Sequence, residues 1–156
     1  MTLRELRPGD PVELQRLLLA TGAFTSAEVD LASELMEIIL EDPLQKDYAA
    51  VVVEARGSVA GYAVYGPIPG TVGTFDLYWI AVDPAFQGTG VGRVLLEAVE
   101  TTTRSLGARM LCADTSSQPS YTRTRQFYEH AGYVAEATIR DFYRSGDNRV
   151  TYVKRF

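Results

Sequence analysis

The run Gln87-Gly88-Thr89-Gly90-Val91-Gly92-Arg93 sets three glycines at alternate positions, directly before a stretch with helical periodicity. Glycine there lets another molecule approach the backbone where a side chain would block it. The first turn of a helix has unpaired N–H groups and carries partial positive charge. A glycine-rich loop opening such a helix suits a phosphate, so the stretch reads as an anion site for a phosphorylated ligand. A tight strand-to-helix connection would use the same residues. The motif is not a P-loop, which needs Lys then Ser or Thr where Arg93-Val94 stands. Nor does its G-x-G-x-G spacing fit the G-x-G-x-x-G dinucleotide turn.

The elements that present this loop are legible on both sides. Before it, Phe75, Leu77, Trp79 and Ala81 alternate with Asp76, Tyr78, Ile80 and Val82, and both sets are largely apolar. That is the pattern of an inner strand, stopped by Asp83-Pro84. After it, Val91, Leu95, Ala98, Thr102 and Leu106 predict one buried helical stripe. Upstream, Leu3 to Leu6 predicts a strand. Asp10-Pro11 predicts an N-cap and a helix to about Thr21, carrying Leu14, Leu17 and Leu18. Thr25-x-x-Glu28 is a capping box opening a second helix with Ala32, Leu35, Met36 and Ile39 on one face, ended by Asp42-Pro43. Tyr48 to Arg56 and Ala60 to Tyr65 predict a hairpin around Gly57-Ser58. Downstream come a strand (Met110 to Thr115), a helix (about Tyr121 to Ala131) and two closing strands around Ser145-Gly146-Asp147. The order β-α-α-β-β-β-α-β-α-β-β predicts an α/β layered fold flanked by helices. Its central mixed sheet is antiparallel first, has a parallel β-α-β unit in the middle, and ends in a hairpin.

With 156 residues, 46% hydrophobic and 22% charged, the chain predicts one domain spanning 1–156. No apolar stretch approaches the roughly 20 residues of a membrane span. The first residues carry no apolar signal core, so the expected location is cytoplasmic. A lone cysteine, Cys112, fits a reducing compartment and reads as a buried strand thiol rather than a nucleophile. A net charge of −5 argues against nucleic acid and mildly favours a cationic substrate. One histidine and one cysteine give no soft-ligand cluster, so no metal is expected.

Gln87-x-x-Gly90-x-Gly92, following Ile80-Ala81-Val82-Asp83-Pro84, resembles the pyrophosphate-binding signature of the GNAT N-acetyltransferase superfamily, Gln/Arg-x-x-Gly-x-Gly/Ala. The run Phe127-Tyr128-Glu129-His130-Ala131-Gly132-Tyr133 resembles the family's second signature, and the element order is similar to the family's over nearly the whole chain. The resemblance implies acetyl-CoA as cosubstrate. Gln87, Gly88, Thr89, Gly90, Val91, Gly92 and Arg93 would grip its pyrophosphate. Ile80, Ala81 and Val82 would hydrogen-bond its pantetheine arm where two strands splay apart. One departure is that Gly88 and Thr89 stand where members often carry a basic residue, which leaves Arg93 and the backbone for the phosphates.

The implied reaction moves an acetyl group directly to a primary amine of a small molecule, a peptide N-terminus or a lysine. An alkylamine of pKa near 10.4 must lose about 4.6 kcal/mol of protonation at pH 7. Asp76, the one carboxylate in its strand and expected on the face of Ile80, is the first candidate base. Asp114, near where other members keep theirs, is the second. A buried carboxylate tied to backbone or Arg is the alternative reading of Asp76. By resemblance Tyr128 protonates the departing thiolate, while Phe127 and Tyr133 are core aromatics and an N–H near Val82 meets the oxyanion. The alternative function is a non-catalytic CoA-binding regulatory or interaction module. Glu28, Asp30, Glu34 and Glu37 read as the wet face of the second helix, which borders the acceptor site in the family. Tyr143 could reach that site from the closing strands, whose unpaired edge could also make a homodimer.

Overall fold

The computed structural model describes residues 1–156. In chain order its elements are β1 (Thr2–Glu5), α1 (Asp10–Thr21), α2 (Ser26–Glu41), β2 (Ala49–Ala55), β3 (Ser58–Pro67) and β4 (Thr74–Val82). Then follow α3 (Val91–Ser105), β5 (Met110–Ser116), α4 (Thr122–His130), β6 (Val134–Arg144) and β7 (Asp147–Arg155). The expected order is present, and the seven strands form one sheet in the order β1-β2-β3-β4-β5-β7-β6. Every pairing is antiparallel except β4 with β5.

Local chemistry explains most element ends. The capping box of α2 is complete. Glu28 N–H donates to Thr25 Oγ1 at 3.3 Å, and Thr25 N–H donates to Glu28 Oε2 at 2.6 Å. Asp10, expected as the N-cap of α1, is instead its first residue after Gly9. Its carboxylate is drawn back by Arg7 N–H (2.7 Å) and the Arg4 guanidinium (2.6 and 2.8 Å), contacts a cap geometry would forfeit. The β2–β3 turn is Arg56-Gly57, one residue earlier than Gly57-Ser58. Both residues have positive φ (55° and 79°), which a two-residue hairpin turn matched to strand twist requires.

Two apolar clusters cover the two faces of the sheet. Under α3 and α4 lie Leu95, Leu96, Val99, Leu111, Ala113 and Tyr152; under α1 and α2 lie Leu14, Leu17, Leu18, Met36, Val52 and Tyr62. Full burial of one such aliphatic side chain is worth about 1.5–3 kcal/mol. The buried stripe of α3 is Val91, Leu95, Val99 and Thr103 with Leu96, not the expected Ala98, Thr102 and Leu106. Leu106 is 65% exposed. Turning the helix this way buries Leu96 and Val99 in place of Ala98 and Thr102, and the Thr103 hydroxyl is satisfied by Val99 O at 2.8 Å.

Two irregularities in β4 shape the rest of the molecule. Its parallel pairing with β5 lasts three residue pairs, Thr74↔Met110, Phe75↔Leu111 and Asp76↔Cys112. Beyond them β4 stays with β3 and β5 with β7, so the sheet opens between them. Against β3, Leu77 pairs with Tyr65 but Trp79 with Val64, so Tyr78 is an extra residue in a bulge.

Candidate active site

The bulge at Tyr78 reverses which residues of β4 face which layer. Phe75 and Leu77, then Ile80 and Val82, belong with the α3/α4 cluster, whereas Tyr78, Trp79 and Ala81 belong with the α1/α2 cluster. Asp76 therefore lies on the opposite face from Ile80, contrary to the period-two expectation; one inserted residue flips parity. Asp76 shares its α1/α2-side face with its β5 partner Cys112 and, two residues on, with Asp114. On the same face Ser116 Oγ donates to Asp147 Oδ1 at 2.5 Å. Tyr128 comes from α4 on the other face, with its ring 5.5 Å from Tyr133 and stacked 5.6 Å from Tyr152. Carboxylates thus approach the β4–β5 opening from one side and a phenol from the other.

The charges tune one another. Burial, then the charge of Asp114, pushes the Asp76 carboxyl up to about 6, partly offset by Arg149. Asp114 accepts a hydrogen bond from Thr151 Oγ1 at 2.6 Å and lies 3.6 Å from Arg149 Nε. Burial, with Asp76 and Asp114, raises the Cys112 thiol, which keeps it from thiolate chemistry. Tyr128 is 4% exposed, and its phenol is pushed well above its ordinary range by burial and then by Asp76 and Asp114. It stays protonated and available to donate.

A cleft of about 600 Å³ runs along the opening. Its walls include Tyr78 through Val82, Gln87, Asp114 through Ser116, and Tyr128. Phe24 and Glu28 border it from the start of α2, and Tyr143 and Asp147 from the closing strands. Asp114 lines the cleft directly, whereas Asp76 lies behind its wall. Tyr121 OH donates to Ala23 O at 2.8 Å and ties the residues before α4 to the α1–α2 connection. A larger groove of about 1030 Å³ between β1, the end of α2 and α3 contains none of these groups.

The glycine loop sits at the end of β4. Gly88 and Gly90 hold φ of 75° and 91°, and a Cβ on either would meet nothing within 4 Å, so their surface is open. Gly90 precedes α3 with no side chain capping that helix, which leaves its first N–H groups for a ligand. Gly92 is less constrained: a Cβ there would meet the Phe127 ring at an ordinary contact distance of 3.4 Å. Arg93 is directed along its helix to Glu97 at 2.7 Å.

The acetyltransferase (GNAT) domain profile matches residues 46–135. The chain belongs to the GNAT acetyltransferase family. It is 30% identical over 142 residues to aminoglycoside N(6′)-acetyltransferase type 1 of Stenotrophomonas maltophilia, covering 86% of this chain and 83% of that one. A crystal structure of a GNAT-family protein from Desulfovibrio desulfuricans superposes with a TM-score of 0.95 at 42% identity, over 99% of this chain and 98% of that one. A Salmonella typhimurium protein solved with acetyl-CoA shares the fold alone, at TM-score 0.77 and 21% identity over 99% and 93% of the two chains. GNAT acetyltransferases use acetyl-CoA, and this chain's residues fit it. The uncapped α3 with its open glycines suits a pyrophosphate, and the parted strands leave unpaired backbone for an extended arm.

Three features of this GNAT site were not evident from sequence, namely Arg149 and Thr151 on Asp114 and the Tyr121–Ala23 bond, whereas Glu28 borders the cleft as the family's second helix implied. The first two follow from the β5–β7 register, which sets Asp114 opposite Thr151.

Proposed function

We propose that this GNAT acetyltransferase moves the acetyl group of acetyl-CoA directly to a primary amine. One observation carries the reading: the sheet opens just past Asp76 and Cys112, with carboxylates on one face of the opening and Tyr128 on the other. Acetyl-CoA supplies the activated thioester. The backbone from Gln87 to Arg93 holds its pyrophosphate, and Ile80, Ala81 and Val82 hold its arm. Asp76, whose pKa of about 6 suits a base at neutral pH, receives the ammonium proton through a water beside Asp114. Tyr128 donates its phenolic proton to the departing sulfur from the opposite face. An N–H near Val82 meets the carbonyl oxygen as its charge develops.

The site works as one domain spanning 1–156. The acceptor is a small molecule, a peptide N-terminus or a lysine, encountered in the cytoplasm. A second copy pairs along β6, an edge strand exposed over its whole length.

Calorimetric titration with acetyl-CoA, followed by mass spectrometry of a panel of primary amines incubated with both, tests the proposal. One-to-one binding and a mass gain of one acetyl group on at least one amine support it. Binding with no amine acetylated would instead identify a CoA-binding module.

A further inference from the structure

The helix that carries Tyr128 has little core of its own to hold it. α4 runs nine residues, no side chain caps its start, and Tyr128 is its only buried residue. Polar contacts fix its two ends instead. In the first turn the Arg125 guanidinium donates to Ser116 O at 2.7 Å and to Gln118 O at 2.9 Å, which ties α4 to the end of β5. At the far end Lys154 Nζ reaches across from β7 and donates to Ala131 O at 2.9 Å, a carbonyl that the end of a helix leaves without an intrahelical partner. A cation there also complements the helix dipole. The same ammonium donates to both oxygens of Glu100 on α3, at 2.9 and 2.8 Å. Glu100 accepts in turn from Tyr133 OH at 3.2 Å, and burial with the charge of Glu100 keeps that phenol protonated and able to donate. Tyr133 closes the chain of contacts: its N–H donates to Tyr128 O at 3.0 Å, and its ring packs on that of Tyr128.

A largely buried ion pair is weak evidence for stability, since apolar side chains of similar volume often serve as well. What this pair supplies is direction, because α3, β7 and the end of α4 meet on it. We infer that Glu100 and Lys154 are positioning residues for the phenol of Tyr128. Neither lines the cleft, so they act through the end of α4 and through Tyr133 rather than on a reacting atom. The inference rests on the acetyl-transfer reading, in which Tyr128 protonates the departing sulfur.

Glu100→Gln combined with Lys154→Met removes both charges together, so that no buried charge is left alone. This double variant should melt cooperatively and bind acetyl-CoA with wild-type affinity by calorimetry. With an amine that the panel shows to be acetylated, its kcat should fall about five- to tenfold at unchanged KM for acetyl-CoA. Added to Tyr128→Phe, the same two substitutions should cost nothing further, because no phenol remains to be aimed. Tyr133→Phe removes only the hydroxyl that Glu100 accepts and keeps the packing, and it should show a smaller loss of the same kind. Nuclear magnetic resonance of isotope-labelled tyrosine reads the Tyr128 ring without turnover, and ring flips should quicken in the double variant. Equal losses of kcat with and without the Tyr128 hydroxyl, or an unaltered ring, would overturn the inference while leaving acetyl transfer intact. Faster flips with no product from any amine would support the hold on Tyr128 and count against the transfer reading.

Discussion

Asp114 lies two residues beyond Cys112, the strand partner of Asp76, on the same face of the sheet, and each carboxylate sits in the other's field. Burial, then the charge of Asp114, pushes Asp76 up to about 6, while Asp114 itself holds Thr151 and Arg149. The expected consequence is an acidic limb in kcat/KM with an inflection near pH 6, active on the alkaline side. Asp76→Asn should remove that limb and lower the rate at pH 7 by about 10²-fold. A pH–rate profile of the two proteins decides it, and an unchanged limb would assign the base elsewhere.

The same shift has a cost in stability. The folded carboxyl titrates near 6 against an ordinary 3.8, so the folded state binds the proton more tightly. Native stability from this group is fully present below about pH 4 and is lost as pH rises through 6. Asp76→Asn should therefore be more stable than wild type at pH 7, by about 1–2 kcal/mol after allowance for solvent screening. Paired thermal melts at pH 5 and pH 8 should show the gap widening with pH.

Tyr128→Phe deletes a hydroxyl but keeps the ring that stacks on Tyr152. The fold and acetyl-CoA affinity should be unchanged while kcat falls about ten- to a hundredfold, as for loss of a general acid. Wild-type turnover in this variant would remove the phenol from the reaction.

Gly90 and Gly92 should respond differently to substitution. Gly90→Val places a branched residue at φ 91°, costing about 1–2 kcal/mol, and fills the open surface before α3. Acetyl-CoA binding should be lost in protein that still shows a cooperative melt. Gly92→Ala should leave binding near wild type and keep or slightly raise the melting temperature, because its Cβ meets Phe127 at an ordinary distance and alanine favours the helix. Calorimetry and melts on both variants separate the two roles.

The exposed edge of β6 predicts self-association. Ile139 is 43% exposed and Val134 61%. Light scattering should give twice the chain mass, reduced to a single chain by Ile139→Lys. A single-chain mass for the wild type would exclude pairing through this strand.

Much of the fold was legible because local signals agreed with tertiary demand. Thr25 and Glu28 announce a helix start whatever lies around them, and Leu14, Leu17 and Leu18 share a face that must be buried. The glycine loop was legible for the same reason: Gly88 and Gly90 meet a backbone requirement that no other residue meets cheaply. The misses are relational. Tyr78 looks like any strand residue, and only its pairing with β3 shows that it is extra and that Asp76 and Ile80 part company there. Likewise nothing in Arg149 or Thr151 points to Asp114 until β7 is laid beside β5. The rotation of α3 was lost because Ala98 and Val99 serve equally well on a helical wheel, and only the partner surface chooses.

In the proposed reaction, with Asp76 and Tyr128 on opposite faces of the opening, one proton is taken in at the carboxylate and another is given out at the phenol. One turnover of that reaction would end with a protonated carboxyl and a phenolate, a state that must be reset. Both resets need a route to water, and the cleft supplies it: Tyr128 lines it, and Asp76 lies behind its wall beside Asp114. A carboxyl of pKa about 6 sheds its proton to neutral water, and a phenol held well above its ordinary range recaptures one as readily. Protons thus leave and return through the one cleft that Asp114 and Tyr128 both line. Below pH 6 the acceptor side should be first to stall.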